Sequence, residues 1–282
     1  MNPTLVIAGL TVREAMRRKL VAVFLVITVA MVSLSAWGFY RLSHSSSITS
    51  GEVRVALPQA LILFMFMFSF VVALSASAIA SPAVSAEVES GVLQTVVTRP
   101  IRRSQVMLGK WLGLAFLVAG YSVVVAALEM AVVDWVSGFL PPNPVAVAVY
   151  LFAEGAVLLT LVLFISTRLS ALATGVVGVA LFGSAWLAGV VGSLGTTFNI
   201  SALRTLGQLA RYVLPTDGLW HGAVYYLEPS SFITERVSDA TGSGGNPFFA
   251  LSPPSWQYLA WAAVWFLAVL GAGLLSFERR EL

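Results

Sequence analysis

The sequence predicts an all-α integral membrane protein with six transmembrane helices. Three observations carry that prediction. Charged residues make up only 10% of the 282 and hydrophobic residues 58%, whereas a soluble domain carries about 25% charged residues. The mean hydropathy is +0.89. Six apolar runs are each long enough to span hydrocarbon about 30 Å thick, which takes about 20 helical residues. This composition cannot cover the surface of a soluble globule, so it excludes a cytosolic enzyme, a disordered chain and a nucleic-acid-binding module. Ten-residue segments of alternating polarity are absent, which argues against an outer-membrane barrel.

The apolar runs cover residues 20–39, 58–80, 112–133, 145–165, 171–193 and 256–277. The first exceeds a signal-peptide core of about 7–15 residues, and Ser33 and Ser35 offer only a weak cleavage pattern, so it is read as a retained span. The 16 basic residues orient the chain. With the N-terminus in the cytoplasm, eleven fall inside, among them Arg13, Arg17, Arg18 and Lys19, and five outside: Arg41, Arg54, Arg204, Arg211 and Arg236. Both termini of this multi-pass chain are therefore expected in the cytoplasm, and the membrane is expected to be the cell membrane. The net charge of +3 and pI near 9.4 reflect this orienting charge and no nucleic-acid partner. Trp37, Tyr40, Trp111, Trp256 and Tyr258 fall at span ends, where aromatic rings favour the headgroup level.

The segments outside the runs divide the chain into an N-terminal part, 1–19, and a membrane domain, 20–282, with a cytoplasmic connection at 81–110 and a long outer loop at 195–255. Leu5, Ile7, Ala8, Val12 and Ala15 interleave with Arg13, Arg17 and Arg18, the pattern of a helix lying in the lipid interface. In 81–110, Pro82 ends or kinks a helix, and Val88, Val92 and Val96 have helical spacing. Arg99-Pro100 stops that helix and a basic cluster follows. In the outer loop, residues 200–214 carry Leu203, Leu206, Leu209 and Val213 with Arg204, Gln208 and Arg211 between them, an amphipathic helix. Pro215-Thr216-Asp217-Gly218 reads as a turn, and 238–247 is rich in Gly and Ser.

The chemistry-bearing residues are few. There is no cysteine, which excludes disulfides and thiolate metal sites. No G-x-x-x-x-G-K-[ST] phosphate cradle, H-E-x-x-H motif or G-x-S-x-G elbow occurs, so neither catalysis nor a metal site is expected on this chain. Glu129 and Glu154 lie within apolar runs, where an ionised carboxylate must pair, protonate or face water. They fall at similar depth, so they are candidates for a shared polar pathway, with helix-to-helix bonding as the competing reading. Gly175, Gly178 and Gly183 in the fifth run allow close backbone approach, either between two subunits or within one.

The connection 81–110 resembles the signature region of ABC-2-type permeases, the membrane subunits of ATP-binding-cassette exporters. The resemblance rests on Glu87, Glu89, Ser90-Gly91, Val92-Leu93, Pro100-Ile101-Arg102-Arg103 and Gly109-Lys110. Val92 stands where Thr is common and Arg102 where Ser is common. The resemblance implies an exporter permease that forms its pathway as a dimer, with a second copy or a similar permease, above two cytoplasmic ABC ATPase subunits. The ATPase would supply ATP and Mg, with no cofactor on this chain. Residues 87–97 would be the coupling helix, and Glu87, Glu89, Gly91, Leu93, Arg99, Pro100, Arg102, Arg103 and Lys110 the ATPase-coupling set. Residues 200–227 would correspond to the family's re-entrant outer helices. Two other functions fit the residues alone: an ion-coupled secondary transporter using Glu129 and Glu154, and a membrane assembly factor that transports nothing.

Overall fold

A computed structural model describes residues 2–44, 50–89, 102–229 and 248–279. Among these the regular structure is helical throughout. The helices run α1 Pro3–Met16, α2 Lys19–Ser43, α3 Ser50–Ala80, α4 Pro82–Glu89, α5 Arg103–Ser137, α6 Pro144–Ser166, α7 Ala171–Thr197, α8 Ser201–Val213, α9 Thr216–Leu227 and α10 Trp256–Glu278. By length and hydropathy α2, α3, α5, α6, α7 and α10 are each able to cross a membrane. They are the six predicted spans.

Several boundaries differ from the sequence reading, each for a local reason. Pro58 does not begin the second span; α3 runs through it from Ser50. A membrane helix tolerates such a proline where neighbouring helices cover the freed backbone groups. Pro82 both separates and starts: α3 ends at Ala80, and Pro82 takes the first position of α4, where its missing N–H costs nothing. The third span is longer than its apolar stretch. At 35 residues α5 is about 52 Å long, well beyond the hydrocarbon, and it ends at Gly138 in the left-handed conformation (φ 68°). Thr216 to Gly218 form the first turn of α9, so the predicted turn shrinks to a corner at Leu214 and Pro215.

The alternation of spans gives the bundle two faces. The face that holds α1 collects α4, the start of α5, the end of α6 and the end of α10. Arg103 donates to the Glu278 carbonyl at 3.3 Å, and Arg168 donates to Ser276 at 2.8 Å. The opposite face carries α8 and α9. Two large apolar clusters fill the interior. One joins Met31, Leu61, Met65, Phe68, Val125, Met130, Leu151 and the α9 residues Trp220, Val224 and Leu227. The other joins Val72, Ala76, Met107, Leu114, Leu158, Val162 and Phe277. Within α3, Met65 and Phe68 are core and Met67 faces outward. Phe66 sits among Phe70, Trp186, Trp220 and Phe248 with centroid distances of 4.9–5.5 Å. This aromatic cluster fastens α9 and α7 to α3.

Trp37, Tyr40 and Trp256 are exposed. Trp111 is a correction to the expected headgroup belt. Its indole donates to Thr160 at 2.9 Å and packs edge-on to Phe266, within the bundle. The extension of α5 below its apolar stretch places Trp111 two turns inside the helix.

Candidate functional site

Three places bring chemistry-bearing side chains together. The first is the face that holds α1. Gly109 and Gly113 admit that helix. A Cβ on Gly113 would lie 2.6 Å from the Ala8 carbonyl oxygen, and one on Gly109 2.7 Å from Ile7. α1 is thus seated along the extended end of α5. Lys110, 6% exposed, lies beside Thr11 and Ala15 of α1 and donates its ammonium to the Ala83 carbonyl of α4. Lys110 therefore ties α5 to α4. α4 also packs on α3, α6 and α7. Arg102 is exposed at the start of α5, its N–H bonded to Gln105 at 3.2 Å. Arg103 bonds to the end of α10 as described above. Glu87 and Glu89 lie in the last turns of α4 with side chains outside the described residues. Gly91, Leu93, Arg99 and Pro100, like the Gly/Ser-rich stretch 238–247, lie wholly outside them.

The second place is the bundle interior. Glu129 is fully buried and accepts from Ser35 of α2 at 2.8 Å, while its Oε1 has no partner. Glu154 is 3% exposed, and Ser69 of α3 lies 2.9 and 2.8 Å from its two oxygens. Each carboxyl thus meets a different serine on a different neighbouring helix. Thr28 and Tyr121 make a third such link, at 2.6 Å.

The third place, on the opposite face, is one that sequence reasoning missed. α7 and α8 cross in backbone contact. A Cβ on Gly207 would lie 2.5 Å from Gly192 Cα, and one on Gly195 would lie 2.5 Å from Arg204 N. This contact sets the half-buried Arg204 and Arg211 and the exposed Gln208 along the wall of a cavity of about 410 Å³. Ser193, Thr196, His221, Tyr258 and the segment 249–255 complete its wall. Arg211 pairs with buried Asp217 at 2.6 Å. His221 Nε2 lies 3.2 Å from an Arg211 nitrogen, which can only donate, so Nε2 accepts. Its Nδ1 then donates to the Asp217 carbonyl at 2.8 Å. His221 is neutral in this arrangement, and burial pushes its imidazole below the ordinary value. Tyr258 Oη donates to the Pro215 carbonyl at 3.1 Å and locks α10 onto the corner. Asp217 sits in the first turn of α9, where the helix N-terminus favours an anion. The amphipathic pattern was legible in the sequence; the direction of its polar face was not.

The glycines of the fifth span divide. A Cβ on Gly178 would lie 2.5 Å from Val162 and 2.7 Å from Ser77, within the subunit. Gly175 touches Ser81 and lines an apolar groove of about 900 Å³ between α2, α3 and α7, with Leu20, Phe24 and Val179. Gly183 has nothing within 4 Å of its Cβ position.

Six spanning helices, a helix seated on one face and a helical pair inserted at the other define a polytopic α-helical membrane protein. Residues 5–282 match the family described as ABC-2 family transporter protein, and the chain belongs to that family. No curated protein matches the chain. Membership makes it a membrane permease of an ABC transporter, the transport component and not the ATPase, in a family that works with ATP-binding subunits.

Proposed function

We propose that this chain forms the translocation pathway of an ATP-driven exporter, as a pair of permeases above two cytoplasmic ATPase subunits in the cell membrane. The face that holds α1 is the cytoplasmic one, as the basic residues indicate. The observation that carries the reading is the seat of α4. This short helix packs on α3, α6 and α7 and is tied to α5 through Lys110. A displacement of α4 by ATPase closure therefore reaches four of the spans at once. Residues 87–97 continue from that seat as the coupling segment, and Glu87, Glu89 and the basic residues after Pro100 form its two-signed rim. The groove beside Gly175 and the open side of α7 at Gly183 are the surfaces offered to the second permease.

The test is Glu89→Arg. A rim carboxylate becomes a cation, and like charge at an interface suppresses docking. Co-purification of the cassette ATPase is expected to fall at least tenfold, or hydrolysis to continue without transport. Wild-type co-purification together with wild-type transport would remove residues 87–97 from the ATPase interface.

A further inference from the structure

We propose that the cavity between α7, α8 and the segment 249–255 is a binding site for a phosphate group, with Arg204 as its anchoring charge. The site is built by the fold. The contact of Gly192 with Gly207 brings two helix backbones together, and the side chains flanking that contact converge on one space. Arg204, Gln208 and Arg211 stand at i, i+4 and i+7 of α8, one face of a helix. They look across at Ser193 and Thr196 of α7.

The charge balance selects an anion. No carboxylate lines the cavity among the described residues. The charge of Arg211 is taken up by Asp217 at 2.6 Å, and His221 is held neutral by its two hydrogen bonds. Arg204 is different. The residue is half-buried, its Nη2 rests on Asn199 Oδ1 at 2.7 Å, a neutral acceptor, and no carboxylate among the described residues pairs with it. A guanidinium that lines a cavity and carries no counter-charge favours an oxyanion there, because hydrogen bonds between charged partners are the stronger ones. The guanidinium fork matches the spacing of phosphate oxygens and donates to two at once.

Size and surroundings refine the ligand class. The cavity's 410 Å³ falls within the range of about 300–1,000 Å³ of small-molecule sites, so it holds a phosphate ester and not merely an ion. The outer side of α8 exposes Leu206, Leu209 and Val213, and Phe198 stands exposed beside it. That apolar side gives α8 the amphipathic character of a helix at a lipid interface, close to the cavity. The shared chemistry is a phosphate ester or phosphate, from a lipid headgroup or from solution. The inference concerns binding alone and does not depend on ATPase docking.

The experiment uses the full chain purified in a neutral maltoside detergent. Its thermal midpoint is titrated with inorganic phosphate at constant ionic strength. A second titration uses dihexanoyl phosphatidylglycerol, with dihexanoylglycerol as the phosphate-free control. A ligand that binds the folded chain raises the midpoint in a saturable way. The expected result is such a rise with a phosphate-bearing ligand and none with dihexanoylglycerol. Gln208→Glu places a carboxylate on the exposed part of the same wall, and Arg204→Gln removes the anchor. Each should weaken the apparent Kd at least tenfold, and because Gln208 is exposed its variant keeps the fold and decides the matter alone. Saturation by the lipid only assigns a headgroup site; saturation by phosphate only assigns a soluble ligand; both support the proposal. No saturable shift with either ligand in the wild type, or a wild-type Kd in Gln208→Glu, overturns it.

Discussion

The crossing of α7 and α8 depends on Gly207 having no side chain, and Gly207→Ala measures how much. The added carbon would lie 2.5 Å from Gly192 Cα, 3.1 Å from Gly192 N and 3.0 Å from the Ala188 carbonyl oxygen. Non-bonded carbons settle at about 3.5–4.0 Å, so the helices must part by roughly 1.0–1.5 Å. Every atom met is backbone, and no rotamer change relieves the contact. Overpacking of this kind costs about 1–3 kcal/mol. Alanine also favours the helix over glycine by up to about 1 kcal/mol, which offsets part of the loss. Gly183→Ala is the matched control, since its Cβ position is open and it collects the helix preference alone. The difference between the two variants isolates the steric cost. At about 2–4 °C per kcal/mol for chains of some 150–250 residues, it should separate their thermal midpoints by on the order of 2–12 °C. Tryptophan fluorescence of the detergent-solubilised chain reads both. Midpoints within about 1 °C of each other would mean that the helices do not cross in backbone contact and that the cavity wall is drawn wrongly.

Three further outcomes follow from the same geometry. Glu154→Gln keeps a partner for Ser69 and should fold, assemble and transport close to wild type, whereas Glu154→Leu orphans the Ser69 hydroxyl and should cost about 1–3 kcal/mol of stability; lost transport in a stable Glu154→Gln would make the carboxylate part of the pathway. Gly183→Leu leaves the subunit's own packing untouched and should lower dimer crosslinking through α7 without lowering the thermal midpoint; unchanged crosslinking would move the permease interface elsewhere. The His221 imidazole titrates below its ordinary value in the folded chain, so the unfolded chain takes up the proton first as pH falls below about 6.5. Stability should therefore drop from that pH downward and level off once the folded value is passed, and His221→Gln should lack this component of the acid profile.

The six spans were legible because hydrocarbon thickness fixes the length of an apolar run, and each predicted run lies inside a spanning helix. The same test could not find the polar start of α5, since Arg103 to Trp111 gains its support from α1 packed along it. The connection 81–110 carried the motif behind the family resemblance. The role of Lys110 within it was not legible, because its partner is a backbone carbonyl that carries no sequence signal. Glu129 and Glu154 stood out as intramembrane acids, and their similar depth suggested one shared space. Their actual partners, Ser35 and Ser69, lie 94 and 85 residues away in the chain. Serines are frequent in these spans, and no local pattern separates the two that meet a carboxyl from the rest. Pairing of that kind is set by which helices become neighbours, and the apolar pattern of a helix buried on several sides hardly encodes this.

The glycines of α7 show a signal that was present and went unread as such. The sequence groups Gly175, Gly178 and Gly183 into one surface for close helix approach. A helix turns about 100° per residue, so Gly178 and Gly189 differ by eleven residues and lie about 20° apart. Gly183 lies about 140° from Gly178, on the other side. The contacts obey that angle. Gly178 is pressed against Val162 and Ser77, Gly189 against Asp217 and Gly192 against Gly207, while Gly183 meets nothing. One stripe builds the subunit: it seats α7 on α3 and α6, and then holds the α8–α9 pair and its cavity. The other side is left with small and apolar residues and no partner within the chain. Those inward glycines are already committed within the subunit, so the pairing proposed above would use the open side of α7 at Gly183.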